Sequence, residues 1–172
     1  MANDNRDKLQ KPEFLTEDQF QGLLDATSSV ERIRGDAKAD VERYKANPDG
    51  WSTGKGSPSG LPTLLLSTTG RKSGEKRTTP LVFLQDGERM VVVGSLAGYD
   101  QHPTWYLNIT ADKTCWVQKD RDQFVCTARD VTDAERAALW PKLDQVFPAW
   151  GYFQKQTDRP FPMVILEISK KL

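Results

Sequence analysis

Short apolar runs separated by turn-favouring residues dominate the chain after residue 60. Runs of this length that are rich in valine, leucine and threonine predict β-strands. The dipeptide Asp86-Gly87, between two of these runs, is a strong signal for a β-hairpin. The predicted strands cover residues 62–69, 77–84, 90–95, 114–118, 124–129 and 163–168.

Residues that cap helices precede the segments with helical spacing. Thr16 opens a capping-box pattern, and apolar residues follow at broadly helical spacing from Phe20 onward. This pattern predicts an N-terminal helix that reaches Tyr44 or Lys45, with a break at residues 27–29. Further helices are predicted at residues 103–110 and after a second capping box at Thr132.

Antiparallel hairpins with helices inserted between them, and no βαβ rhythm, predict an α+β fold that is mainly β. The arrangement favours a small closed or half-closed antiparallel barrel. We divide the chain into a disordered N-terminus (residues 1–12), an N-terminal helical segment with a Gly/Ser-rich connection (13–60) and a barrel domain (61–172). The length of the chain favours one domain overall.

The charge balance narrows the classes of partner. The chain has 24 Lys and Arg residues and 24 Asp and Glu residues, so no net positive charge favours nucleic acid. We expect no transmembrane segment, and the mixed charges of the N-terminal helix do not favour contact with a membrane surface. Cys115 and Cys126 lack metal-site spacing, so we expect a cytoplasmic protein with two reduced thiols, opposite each other on neighbouring strands.

The connection between the first two predicted strands carries the most distinctive chemistry. Residues 68–81 contain two glycines, four basic side chains and five hydroxyls. Such a turn offers backbone N–H groups, hydroxyl donors and guanidinium groups to one small volume, which suits a phosphate or a cluster of carboxylates. Taken alone, the segment also fits a solvated basic hairpin tip.

Further motifs follow this hairpin in a fixed order. They comprise residues 68–74, 79–84, 94–95, 102–108 and 156–159. With these motifs in register, residues 60–169 resemble the deazaflavin-dependent nitroreductase family, which belongs to the split β-barrel flavin and deazaflavin oxidoreductases. The resemblance implies a split β-barrel that binds coenzyme F420, a cofactor used mostly in actinobacteria. This coenzyme has a flavin-like ring on a phosphodiester tail that ends in several glutamates.

The resemblance also assigns roles to residues. By resemblance, the turn would bind the phosphate, the second strand would begin under the ring, and later residues would edge the ring or stack on it. The implied cofactor-binding residues are Arg71, Lys72, Ser73, Arg77, Thr79, Pro80, Ser95, Thr104 and Trp105.

The chain departs from the family pattern at three places. Thr79 stands where many members have asparagine, and Leu96 stands where some have a lysine near the cofactor. Where the best-known members present tyrosines to the substrate pocket, this chain has Phe147, Trp150 and Phe153. These three residues are the predicted substrate pocket, and their spacing also fits the buried stripe of a helix.

No catalytic side chain is assigned, because the chemistry of a deazaflavin reductase comes from the cofactor. The single histidine, His102, has no obvious carboxylate or nucleophile partner. We expect hydride transfer to a hydrophobic, electron-poor acceptor: a quinone, an enone or another activated double bond. Nitroaromatic reduction is less favoured, because Phe cannot supply the proton or orient the acceptor as Tyr can.

Two alternatives stay open at this point. One is an oxidoreductase that uses FMN, which related split barrels bind and which has no polyanionic tail. The other is a protein that binds or sequesters F420 without turnover. The resemblance leaves both a monomer and a homodimer open.

Overall fold

The computed structural model describes residues 9–172, so most of the predicted disordered segment lies outside the described residues. All strand pairs are antiparallel, and the strands close a barrel in the order β1-β2-β3-β6-β5-β4. The predicted α+β class with a mainly β barrel is confirmed. The strands are β1 (Thr63–Thr69), β2 (Lys76–Asp86), β3 (Arg89–Val93), β4 (Thr114–Lys119), β5 (Asp122–Asp130) and β6 (Met163–Lys171). The helices are α1 (Glu17–Ala26), α2 (Val30–Ala46), α3 (Thr104–Ala111), α4 (Asp133–Val146) and α5 (Ala149–Gln154).

The helix starts follow the capping signals of the sequence. Thr16 and Thr132 each accept a hydrogen bond from a backbone N–H three residues later, and both capping boxes are complete. The predicted break at residues 27–29 separates α1 from α2, and Ser29 caps α2 by accepting from Arg32 N–H at 3.0 Å.

The core has two layers because side chains alternate between the two faces of each strand. Leu66 and Val92 point into the barrel, where Trp105 and Ile109 of α3 close one end. Val91 and its neighbours on the outer face pack under α4 and α5 instead. Helix α3 is therefore part of the barrel core, whereas α4 and α5 cover the outer wall.

Buried Cys115 and Cys126 lie directly opposite each other on β4 and β5, as the sequence predicts. Burial raises the pKa of Cys115 to about 12 and that of Cys126 to about 11. Both thiols are therefore protonated at neutral pH and serve as small core residues.

A buried tyrosine attaches the end of α2 to the barrel. The hydroxyl of Tyr44 accepts from the Asp120 N–H at 2.8 Å and donates to the carbonyl of Gln118 at 3.2 Å. The Asp120 carboxylate in turn accepts from the N–H and hydroxyl of Ser52 at 2.8 and 2.6 Å. Burial raises the pKa of Tyr44 to about 12, so the hydroxyl stays neutral and can donate.

Replacing Tyr44 with phenylalanine is expected to lower the free energy of unfolding by about 1–3 kcal/mol, because the partly buried Asp120 N–H loses its acceptor. Urea denaturation measures this change. Tyr106→Phe is the matched control, because its hydroxyl contacts the exposed carboxylate of Asp130 and its loss costs less. Equal stability losses in the two variants would contradict this account of the attachment.

Candidate functional site

The candidate site lies at one end of the barrel. The antiparallel pairing brings the ends of β1, β3 and β5 and the starts of β2, β4 and β6 to this end. The basic turn between β1 and β2 therefore lies beside the connection from β3 to α3 and beside α3 itself. Most of the predicted site residues lie on these elements.

The barrel wall opens between β2 and β3. These strands pair only from Phe83 opposite Val92 to Asp86 opposite Arg89, although β2 begins seven residues earlier, at Lys76. Within residues 9–172, the first part of β2 pairs on one side only, with β1. Pro80 has no N–H to donate across the gap, which favours the separation. We call this opening the split.

Three predicted cofactor residues lie on the segments that border the split. Thr79 and Pro80 lie on the part of β2 that does not pair with β3, and Ser95 follows the last residue of β3 by two positions. The edge of β2 carries backbone hydrogen-bonding groups that a flat heterocyclic ring can use.

A strained turn follows β3 at the rim of the split. Leu96, Ala97 and Gly98 have φ values of 41°, 51° and 80°, so three successive residues adopt left-handed conformations. This conformation is unfavourable for the side chains of Leu96 and Ala97 and costs on the order of 1–3 kcal/mol per residue. Gly98 has no such cost, and a Cβ at its position would lie 2.6 Å from the carbonyl oxygen of Phe153.

Arg159 holds this turn in place. Its Nη2 donates to the carbonyl of Ser95 at 2.7 Å, and its Nη1 donates to the carbonyl of Gly94 at 2.9 Å. Its Nε and Nη2 donate to the carbonyl of Tyr99 at 3.0 and 2.9 Å. Burial lowers the pKa of Arg159, but the guanidinium stays charged at neutral pH. One planar group therefore binds the backbone before and after the strained residues.

The same guanidinium fixes the tautomer of His102. Nη1 of Arg159 lies 3.2 Å from Nδ1 of His102. Because Arg has no acceptor, Nδ1 must accept, and the imidazole proton lies on Nε2. Burial and then the charge of Arg159 lower the pKa of His102, so the ring is neutral at neutral pH.

The basic turn between β1 and β2 is tight and anchored. The Gly70 N–H donates to the carbonyl of Glu75 at 2.7 Å, and the Gly74 N–H donates to the carbonyl of Gly70 at 2.7 Å. A Cβ at Gly70 would lie 2.6 Å from Oγ of Ser73, so only glycine fits there. The side chains of Arg71, Lys72 and Ser73 are exposed around this turn.

Asn108 of α3 fastens the turn to the barrel, and the sequence analysis gave it no role. Its Oδ1 accepts from the Arg71 N–H at 3.2 Å, and its Nδ2 donates to Oγ1 of Thr68 at 3.1 Å. Asn108 is almost completely buried. A polar amide in the otherwise apolar face of a short helix was the only available signal in the sequence.

The basic residues of the turn differ in their partners. Arg77 forms an exposed ion pair with Glu75 at 2.9 Å. Among the residues that the structure describes, the side chains of Arg71 and Lys72 have no ion-pair partner. The positive charge available at the tip of the turn is therefore that of Arg71 and Lys72, whereas Nζ of Lys76 lies 3.8 Å from the ring centroid of Trp116.

The two predicted residues at the start of α3 have different surroundings. Thr104 is exposed at the first turn of the helix. Trp105 is buried in the barrel interior, with its ring edge-on to Tyr106 at 6.0 Å between centroids. The structure therefore places Trp105 beneath the site and Thr104 on its surface.

The three predicted substrate-pocket residues form one aromatic cluster. The ring of Phe147 lies 5.4 Å from that of Trp150 and 6.5 Å from that of Phe153. Trp150 and Phe153 are 4% and 5% exposed, and Phe147 is half-buried. A break between α4 and α5 lies inside this set, so the residues do not form the stripe of a single helix. Through Phe153 and Gly98, the cluster contacts the strained turn.

Two general features of the described residues complete the description of the chain. No helix within residues 9–172 combines the length and apolar character that a membrane span requires. The same residues contain no group of three or more His, Cys, Asp or Glu side chains placed to hold a metal ion.

Comparison with known proteins identifies related sequences. The model of a family described as F420H(2)-dependent quinone reductase matches residues 37–168. An F420H(2)-dependent quinone reductase of Mycobacterium tuberculosis is 34% identical over 112 residues, which are 63% of this chain and 75% of the relative. A second protein of that organism, Rv3178, is 33% identical over 106 residues, which are 62% of this chain and 89% of the relative.

Solved structures agree with these relatives. The structure of the F420-H2 dependent reductase FDR-A superposes with a TM-score of 0.58 at 36% identity and covers 62% of this chain and 94% of that chain. A domain-swapped dimer superposes with a TM-score of 0.58 at 31% identity and covers 76% of this chain and 100% of that chain. The predicted resemblance to deazaflavin-dependent split barrels is confirmed.

Replacing Arg159 with alanine is expected to lower the free energy of unfolding by about 3 kcal/mol, because half-buried carbonyls lose charged donors. Hydrogen exchange of the amides at 95–99 should also accelerate. Urea denaturation and exchange mass spectrometry measure the two effects. Arg121→Ala is the control, because its exposed pair with Asp49 contributes at most about 1 kcal/mol. Unchanged exchange at 95–99 in Arg159→Ala would show that the turn does not depend on this residue.

Proposed function

Because this chain belongs to the F420H(2)-dependent quinone reductase family, we propose that it transfers a hydride from reduced coenzyme F420 to a quinone. The chain is an F420-dependent oxidoreductase, and we propose that its electron acceptor is a quinone. The observation that carries the proposal is the split, which has an unpaired strand edge and lies beside a turn with free positive charges.

The turn suits the anionic tail of the coenzyme. Arg71 and Lys72 are exposed cations without ion-pair partners among residues 9–172, and Ser73 adds a hydroxyl beside them. The turn is held in shape by Gly70 and Asn108, so little ordering is needed when an anion binds. We propose that these groups bind the phosphate, while Arg77 adds positive charge but stays paired with Glu75.

The split suits the ring. We propose that the deazaflavin lies along the free edge of β2 at Thr79 and Pro80, between Ser95 on the opposite edge and Thr104 at the start of α3. In its reduced form the bound coenzyme supplies the hydride. The protein orients the ring through backbone groups and hydroxyls, and buried Trp105 supports the helix from below.

A quinone suits a site without a strong acid. Neutral His102 has its one ring proton on Nε2 and does not give it up near neutral pH. Water can protonate the quinol anion, which is a stable product, so no side-chain acid is needed. We propose that Phe147, Trp150 and Phe153 shape the acceptor side of the split through their contact with the strained turn.

Experiments can distinguish the alternatives that the sequence leaves open: a protein that sequesters F420, an oxidoreductase that uses FMN, and a monomer or a homodimer. The family is one of reductases, which makes a sequestering protein without turnover the weaker reading. FMN stays a competitor to be tested in parallel. The domain-swapped dimer among the similar structures favours a homodimer over a monomer for this chain.

Reduced F420 mixed with the purified protein and menadione, a naphthoquinone, is expected to return to its oxidised form at a rate that saturates with quinone. The absorbance of the oxidised coenzyme reports the rate. Cyclohexenone and nitrobenzene are the comparison acceptors, and we expect kcat/KM for the quinone to exceed that for the nitroaromatic at least about tenfold, or about 1.4 kcal/mol. Binding of F420 with no oxidation by any acceptor would support the sequestering alternative, and a preference for FMN would overturn the cofactor.

Replacing Arg71 and Lys72 together with alanine is expected to weaken F420 binding about tenfold to thirtyfold, because two exposed charge contacts of about 1 kcal/mol each are lost. Fluorescence titration measures the affinity. The control pair is Lys119→Ala with Arg121→Ala, which removes the same charge at the opposite end of the barrel. A similar loss in both double variants would point to net charge rather than to a local phosphate site.

A further inference from the structure

We propose that Arg159 is a positioning residue for hydride transfer, an inference that rests on the proposed F420-dependent function. Arg159 acts through the backbone at the entry to the strained turn, where it directs the N–H groups of Ser95 and Leu96 away from itself and toward the split. There the two N–H groups bind an oxygen atom that carries negative charge on the ring of a bound reactant.

The guanidinium of Arg159 binds two successive carbonyl groups. Its Nη1 donates to the carbonyl of Gly94 at 2.9 Å, and its Nη2 donates to the carbonyl of Ser95 at 2.7 Å. The peptide bonds of the described residues are all trans. A planar trans peptide places its C=O and its N–H on opposite sides of the chain. The N–H of Ser95 and the N–H of Leu96 therefore both point away from Arg159.

The strand order shows which side of the chain the N–H of Ser95 faces. Strand β3 lies between β2 and β6. The N–H of Gly94 donates to the carbonyl of Pro162 at 2.8 Å and its carbonyl accepts from Arg159, so both groups face the segment that leads into β6. The N–H of Ser95 points the opposite way, to the side on which β2 lies. Since β2 and β3 pair only from Phe83 and Val92 onward to the hairpin, this N–H faces the split.

The two N–H groups are available to a ligand. Neither has an acceptor within residues 9–172, although Ser95 and Leu96 are half-buried. Ser95 has right-handed backbone angles (φ −77°, ψ −39°) and Leu96 has a φ of 41°. A right-handed residue followed by a left-handed one turns successive N–H groups toward a common anionic atom. The hydrogen bonds from Arg159 also polarise both peptide groups, which makes their N–H groups stronger donors.

Such a pair of donors suits the proposed reaction. A quinone that accepts a hydride from the reduced coenzyme becomes a quinol anion, and a proton from water completes the quinol. Negative charge therefore develops on a quinone oxygen during the transfer, and donors that are already in place stabilise this charge. A carbonyl oxygen of the flavin-like ring offers the same chemistry, so the experiment has to distinguish these two sources of the oxygen.

NMR of the nitrogen-15-labelled protein tests the two donors directly. The ligands are oxidised F420 alone, and F420 followed by lawsone, a hydroxynaphthoquinone that is anionic at neutral pH. We expect the amide protons of Ser95 and Leu96 to shift downfield, because they enter hydrogen bonds. A shift with F420 alone assigns the oxygen to the coenzyme, and a shift that needs lawsone assigns it to the acceptor.

The same titration separates this inference from the proposed function. Binding of F420 and lawsone with unchanged amide signals at Ser95 and Leu96 would overturn the role of Arg159 and leave the proposed function standing. Failure of the protein to bind F420 in a parallel fluorescence titration would overturn the proposed function itself.

Replacing Arg159 with lysine tests the positioning. Lysine keeps the positive charge but lacks the planar set of donors that binds both carbonyls. We expect kcat with menadione to fall about tenfold to hundredfold with little change in KM, and the downfield shifts to be lost. Arg136→Ala is the matched control, because Arg136 donates to the carbonyl of Phe161 at 3.0 Å instead of to the strained turn. Equal losses of kcat in the two variants would overturn the assignment.

A second pair of variants leaves Arg159 in place and therefore tests the N–H group even where a change at Arg159 unfolds the protein. Proline can adopt the φ of Ser95, so Ser95→Pro removes the N–H without changing this backbone angle. Ser95→Ala removes only the hydroxyl and is the reference. We expect kcat with menadione to be about tenfold lower in Ser95→Pro than in Ser95→Ala. Equal kcat values in these two variants would show that the N–H has no part in the reaction.

Discussion

The candidate site depends on one guanidinium group that binds the backbone on both sides of a strained turn. The left-handed backbone conformations of Leu96 and Ala97 are unfavourable in free energy. The hydrogen bonds from Arg159 to the carbonyls of Ser95 and Tyr99 offset this cost. Arg159 thereby holds the chain after β3 in the turn that borders the split.

The positive charges around the site have separate tasks, although the net charge of the chain is zero. Arg159 is half-buried and bound to carbonyls, so its charge supports the fold. Arg77 is partly neutralised by Glu75, whereas Arg71, Lys72 and Lys76 remain available at the surface. Exposed, unpaired cations of this kind favour an anionic ligand, and salt weakens that attraction without affecting the strained turn.

The sequence predicted those features that depend on neighbouring residues. Local hydrogen bonds and turn geometry explain the effects of Thr16, Thr132 and Asp86-Gly87. The two helices and the hairpin that these residues predict are present at the predicted positions. The pairing of Cys115 with Cys126 followed from the position of one turn. Asn108 and Arg159 could not be given roles in this way, because their partners lie at Thr68 and at Gly94–Tyr99, far away in sequence.

The two halves of the site are attached to the barrel through different residues, and this has a consequence for specificity. The basic turn is fastened to α3 by Asn108, whereas the strained turn is fastened by Arg159 and rests on α5 at Phe153. A change among the aromatic residues of α5 is therefore expected to affect the strained turn more directly than the basic turn, because packed side chains transmit strain to their neighbours. In the function that we propose, such a change alters the acceptor side and leaves the anion-binding side in place. Phe147, Trp150 and Phe153, which stand where the resemblance implies tyrosines, lie on the proposed acceptor side.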